Sequence, residues 1–292
     1  MAGLHKSMKA KLQNTPNLKL ILLGFFLLFT IFMILRSNSS SPPSPITQTR
    51  AQAQSYPPTQ STPIIHSCSK IPPSLVESIL HYATSNTTPQ QTLSEISVSA
   101  RVLAKKSPCN FLVFGLGHDS LMWTALNHGG RTVFLEEDKK WIETIQEKFP
   151  QLESYHIKYD TKVTMADDLM ESGRMPECIS IGDLKFSECR LALKELPRVV
   201  HDMEWDVIMV DAPTGWIPEA PGRMGAIYTA GMLARGKKEG DTDVFVHDVD
   251  RIVEDKYSKE FLCGGYLKEQ EGRIRHFNIP SHRTSLAMPF CP

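Results

Sequence analysis

Two unlike stretches precede any periodic pattern. Residues 20–35 are apolar and uncharged. With Leu18 and Lys19, whose ammonium can reach the interface, the run is about eighteen residues long, near the lower limit for a bilayer-spanning helix. A cleaved leader would show a shorter apolar run and a small-residue cleavage site, whereas Arg36-Ser37-Asn38-Ser39 follows here. The pattern predicts a retained anchor over 18–36 behind a short tail, 1–17. Lys6, Lys9, Lys11 and Lys19 precede the span and Arg36 closes it, so the tail is expected in the cytosol and the bulk of the chain in a lumen. A span this short suits the thinner membranes early in secretion. Residues 37–66 are rich in Ser, Pro, Thr and Gln and poor in apolar side chains, which predicts a semi-extended stem.

From residue 67 to 292 the pattern becomes that of one folded domain. Pro72 to about Ala83 reads as a helix with Leu75, Ile79 and Tyr82 on one side. Thr92-Leu93-Ser94-Glu95 is a capping box opening a helix through Leu103. Short apolar runs then alternate with helical ones. Asn110–Phe114, Thr132–Leu135, Trp205–Val210, Asp243–Val246 and His276–Ile279 are predicted strands, and Asp119–Leu126 and Lys139–Phe149 predicted helices. This alternation implies an α/β fold: a doubly wound, mostly parallel sheet, Rossmann-like, with N-terminal helices ahead of it.

Composition narrows the partners. Lys and Arg total 32 against 32 Asp and Glu, without the basic excess that nucleic-acid binding leaves. The six cysteines, Cys68, Cys109, Cys178, Cys189, Cys263 and Cys291, form no Cys-x-x-Cys pair, so disulfides are expected rather than zinc. Asn86-Thr87-Thr88 is an acceptor sequon for N-glycosylation.

In a parallel sheet, ligands lie beyond the carboxyl ends of the strands, so the residues there are the candidates. Gly115-Leu116-Gly117 follows the first strand and lets the backbone approach a ligand. The third glycine of a dinucleotide loop is replaced by Ser120. Glu136-Glu137-Asp138 follows the second strand, about twenty residues on, where a carboxylate accepts ribose hydroxyls. Glu136 and Glu137 are the candidates. A nucleoside site without a diphosphate loop points to S-adenosylmethionine rather than NAD. Asp183 is a candidate contact for the adenine. Asp211 follows the third strand, with Trp216 in the same loop, and His247-Asp248 follows the fourth. Asp211 and Asp248 could ligate a divalent ion that lowers the pKa of an acceptor hydroxyl. Alternatively, Asp211 or His247 takes the proton as a general base. Arg223 is placed to clamp a carboxylate.

The strings NFLVFGLGHDSLMWTALNHGGRTVFLEED (110–138), WDVIMVDAPTGW (205–216) and VFVHDVDR (244–251) resemble the plant glucuronoxylan 4-O-methyltransferases. The resemblance covers about 67–292, and the anchor-plus-stem layout matches as well. It implies the fold of S-adenosylmethionine-dependent methyltransferases, Golgi residence, and methyl transfer to O4 of glucuronic acid side chains of xylan. The same family contains irregular-xylem proteins with Thr where this chain has Gly117 and Glu where it has Asp119. The alternatives are a non-catalytic accessory protein of xylan synthesis and an O-methyltransferase for another cell-wall acceptor.

Overall fold

The computed structural model describes residues 71–284 and 288–292. The tail, the expected anchor, the stem and Cys68 lie outside them. Among the described residues, no helix is long and apolar enough to cross a membrane.

The apolar runs form the strands they predict. β1 (Asn110–Phe114), β2 (Arg131–Glu136), β3 (Glu153–His156), β4 (Val207–Val210) and β5 (Asp241–Val246) are parallel, while β6 (Leu267–Glu271) and β7 (Ile274–Pro280) form an antiparallel edge. The order across the sheet is β3-β2-β1-β4-β5-β7-β6. β3 and β6 were not expected. Their sequences, ESYH and LKEQE, carry no buried apolar face because both are edge strands.

Alternate residues of each central strand serve two cores. Phe111 and Val113 face one side with Phe134, Met209 and Phe245, where α2 (Leu93–Lys106), α3 (Ser120–Leu126) and α4 (Lys139–Lys148) pack. Leu112 and Phe114 face the other with Ile208, Val210 and Val246, covered by α8 (Met224–Gly236) and α9 (Ile252–Phe261). α8 is apolar on nearly every side because the sheet, α9 and the segment carrying Cys178, Leu191 and Leu193 all pack against it. Burial on both faces is why these strands read as continuous apolar runs. The remaining helices are α1 (Pro73–Thr84), α5 (Ala166–Ser172), α6 (Pro176–Ile179) and α7 (Arg198–Asp202). Disulfides join Cys178 to Cys189 and Cys263 to Cys291, and Cys109 is a buried thiol.

The topology locates the crevice. The chain runs outward from β1 to β2 and β3, then returns to place β4 on the other flank of β1. Connections therefore diverge between β1 and β4, the switch point where such sheets bind ligands. The register pairs Phe114 with Leu135 and Val210, and Val210 with Val246. Gly115, Glu136, Asp211 and His247 thus leave the sheet at one level.

Candidate active site

Gly115 has φ +125° and would bring a Cβ to 3.4 Å from Ala212 Cβ, so glycine lets the turns after β1 and β4 pack closely. A Cβ on Gly117 would lie 2.6 Å from Asp119 Oδ1. A side chain at 117 would therefore displace the Asp119 carboxylate. Asp119 stands at the N-cap of α3, but its side chain makes no capping bond. It accepts the indole N–H of Trp123 at 2.8 Å, and burial together with the charge of Asp211 pushes its carboxyl up to about 6. An Asp four residues before a Trp whose N–H needs an acceptor was the signal available in the sequence.

The acidic trio divides its work. Glu136 is buried and accepts backbone N–H groups from Leu116 (3.1 Å), Glu137 (2.8 Å) and Asp138 (3.0 Å), joining the turns after β1 and β2. Burial raises its pKa despite those bonds. Glu137 accepts the N–H and hydroxyl of Thr214 at 3.1 and 2.8 Å, tying in the turn after β4. Asp138 caps α4 through Lys140 and Trp141. A carboxylate has about four acceptor positions, so Glu136 and Glu137 keep capacity for a diol. The Tyr159 hydroxyl is buried without a hydrogen-bond partner among the described residues, and that burial, with the charges of Glu137 and Glu136, raises its pKa. Together, the glycine turn and these polar groups fit a nucleoside cofactor.

On the other flank, Asp211 Oδ1 meets His247 Nδ1 at 3.0 Å and Arg223 Nη1 at 3.3 Å, and Oδ2 accepts the Gln91 amide at 3.2 Å. Burial works to raise the Asp211 pKa, but His247 and Arg223 outweigh it and hold the carboxyl below its ordinary value. Burial likewise opposes the charged imidazole of His247, yet Asp211 and Asp248 raise its pKa overall. His247 Nε2 is buried with no hydrogen-bond partner among the described residues and lies 3.8 Å from Glu95 Oε2. Asp248 stands at φ +60°, a left-handed conformation that Asp tolerates better than most residues.

Asp211, His247 and Asp248 offer ligand atoms within 4.8 Å of one another. Their type suits a hard divalent ion. Their charge, however, is already met: Asp248 pairs with Arg223, Arg251 and Arg273 at 2.8–2.9 Å. The set fits an ion only if Arg223 is displaced.

Three further expectations can be placed. Arg223 is 4% exposed and its donors are committed inward, Nε to Pro213 O, Nη1 to His247 O and Nη2 to Asp248. It holds the turns after β4 and β5 together, and its buried fork is not open to a substrate carboxylate. Asp183 does not join the site. It caps a short turn through Lys185 N–H and lines a cavity with His201, Glu204, Gly236 and Lys238, at the amino ends of the strands. Trp216 is in the right loop and exposed. Gln91 and Glu95 were missed as site residues. They reach Asp211 and His247 from more than a hundred residues away in sequence, a distance no local pattern spans.

The family model described as IRX15/IRX15L/GXM matches residues 94–277. Glucuronoxylan 4-O-methyltransferase 3 of Arabidopsis thaliana is 57% identical over 290 residues, 98% of either chain. Arabinogalactan O-methyltransferase 2 of the same plant is 44% identical over 278 residues, 92% of this chain and 91% of that one. Protein IRREGULAR XYLEM 15, also from Arabidopsis, is 39% identical over 279 residues, 91% of this chain and 86% of its own. With most of its folded domain matched, and with relatives this similar along nearly its whole length, the chain belongs to the IRX15/IRX15L/GXM family.

Proposed function

We propose that the chain is an O-methyltransferase that uses S-adenosylmethionine to methylate O4 of glucuronic acid side chains on glucuronoxylan. One observation carries the reading: Asp211, at the end of the central strand β4, is held anionic by His247 and Arg223 beside the glycine turn of β1. The higher identity to glucuronoxylan methyltransferases than to the arabinogalactan or irregular-xylem relatives favours this acceptor.

Gly115, Gly117, Glu136 and Glu137 would hold S-adenosylmethionine, which supplies an activated methyl on a sulfonium. The protein must orient one sugar hydroxyl in line and accept its proton. Asp211 Oδ2 is the oxygen for that task, since its Oδ1 is engaged by His247 and Arg223. The Gln91 amide on Oδ2 marks where an acceptor hydroxyl would donate. A carboxylate held this anionic is a weak base, so its contribution is orientation and a late proton transfer. Because Asp211 and His247 are hydrogen-bonded, they titrate as a pair.

A second reading of hydroxyl activation rests on the convergence of Asp211, His247 and Asp248: a divalent ion that displaces Arg223. Activity lost on exhaustive chelation and restored by an added ion would establish it. Activity unaffected by chelation would leave the Asp211–His247 pair.

The anchor and the Golgi lumen belong to the same proposal. The apolar run over 18–36 and its charged flank support it, as do two disulfides, which suit an oxidising compartment. The acceptor is tested by incubating the purified chain with methyl-labelled S-adenosylmethionine and either glucuronoxylan or arabinogalactan. Label is expected chiefly in glucuronoxylan, and preferential labelling of arabinogalactan would reassign the acceptor.

A further inference from the structure

Removing Arg223 from the substrate's reach leaves a question of chemistry. An acceptor bearing a carboxylate needs a cation at the rim of the site, and three guanidiniums converge on Asp248, with Asp211, Glu95 and Glu254 also facing them. Arg223 Nη2, Arg251 Nη2 and Arg273 Nη1 all lie within 2.9 Å of its oxygens. The three arginines differ in what remains free. Arg223 is sealed. Arg273, on the turn between β6 and β7, spends Nη1 on Asp248 and Nη2 on Gln90 O, and its Nε lies 3.7 Å from Glu95. Arg251 stands on the turn after β5, facing the turn after β4. It gives Nη2 to Asp248 and Nη1 to Thr214 O at 3.1 Å, with Glu254 at 3.8 Å from Nη1. Its Nε–H has no hydrogen-bond partner among the described residues, and its side chain is 30% exposed.

A guanidinium carries five N–H donors in a rigid fork, so two anchored contacts leave others to bind a second carboxylate. Anchoring fixes the fork's direction before the ligand arrives and lowers the ordering cost of binding. Apolar surface is exposed on the adjoining segments: Trp216, two residues after Thr214, is 67% exposed, and Ile252, next to Arg251, is 72% exposed. A fixed cationic fork beside an exposed aromatic face suits an acidic sugar, which presents a carboxylate and a flat C–H surface.

We infer that Arg251 is the specificity residue that receives the acceptor's carboxylate, with Trp216 as the platform for its ring. The inference rests on the uronic-acid acceptor proposed above. Arg251 does not touch the reacting atoms. Its contact selects acidic over neutral sugars, and its bonds to Asp248 and Thr214 orient the fork.

The test is equilibrium binding by calorimetry, with S-adenosylhomocysteine present. The probes are a xylo-oligosaccharide bearing one glucuronosyl branch and the same oligosaccharide after its carboxyl is reduced to the alcohol. The unaltered chain should prefer the acidic probe by about 10–100-fold, the range of a charge-assisted fork. In Arg251→Gln the preference should disappear, with S-adenosylhomocysteine affinity unchanged. Should that variant not fold, Arg251→Lys decides: a point charge cannot replace the fork, so the preference should fall several-fold. A preference retained in full by the variant, or one missing from the unaltered chain, overturns the role of Arg251. Methyl transfer is read in parallel samples in which S-adenosylmethionine replaces S-adenosylhomocysteine. Its absence from the unaltered chain counts against the proposed reaction alone, because binding still decides Arg251.

Discussion

The two ends of strand β5 hold clusters of the same residue types arranged to opposite effect. At the amino end, Asp243 accepts His276 at 2.6 Å and Asn278 at 3.1 Å and pairs with Lys106 at 2.6 Å. Lys106 also reaches Asp241, and Lys237 holds Asp206 at 2.7 Å. Every member named is paired, so this cluster locks α2 and β7 to the sheet. At the carboxyl end, pairing is incomplete. His247 Nε2, Gln91 Oε1 and both oxygens of Glu254 are buried without a hydrogen-bond partner among the described residues. Buried polar atoms left unpaired are costly and rare, so several together mark a site kept for chemistry. Charge and burial alone would not separate these two ends. Satisfaction of hydrogen bonds does.

The sharpest way to break the contrast is to remove one acid from each end. Asp211→Asn should lower methyl transfer about 10³-fold, in the middle of the range for losing a positioned base, with S-adenosylhomocysteine affinity nearly intact. Transfer within tenfold of the unaltered rate would show Asp211 to be structural. Asp243→Asn should do the reverse, costing roughly 1–3 kcal/mol of stability by removing the carboxylate that Lys106 and the buried His276 share, with the KM for acceptor unchanged. Denaturant unfolding and steady-state kinetics on both variants give the comparison.

Proton linkage provides a second separation. Burial opposes the Asp243 anion, but His276 and Lys106 outweigh it and pull its pKa down to about 2. Its stabilisation is therefore present above the ordinary carboxylate range and is lost as pH falls from about 4 to about 2. Asp119 runs the other way. Burial and Asp211 push it up to about 6, so its anion is disfavoured in the fold and stability declines as pH rises toward that value. Ionised Asp119 adds negative potential beside the turn expected to hold a cationic cofactor. The kcat/KM profile should rise through a limb near 6 that Asp119→Asn removes. An unchanged limb in that variant would assign it to another group.

The central sheet was readable because strands buried on both faces become apolar runs, as in Asn110–Phe114 and Val207–Val210. Parallel order and the strand-end rule then placed Gly115, Glu136, Asp211 and His247 at one level, as the register bears out. Edge strands β3 and β6 left no such trace. Within the site, the sequence identified which residues stand at strand ends and not how their side chains turn. Arg223 looked like a free fork, yet Pro213 O, His247 O and Asp248 consume it. Gln91 and Glu95 enter from the N-terminal helices through contacts that only folding creates.

The most direct measurement is the position of the transferred methyl. S-adenosylmethionine carrying a ¹³C-methyl group is incubated with glucuronoxylan and either the unaltered chain or Asp211→Asn, and the product is read by NMR. Label is expected on O4 of the glucuronosyl branch with the unaltered chain, and almost none with the variant. Label on another hydroxyl, or equal labelling by the variant, would contradict the proposed reaction.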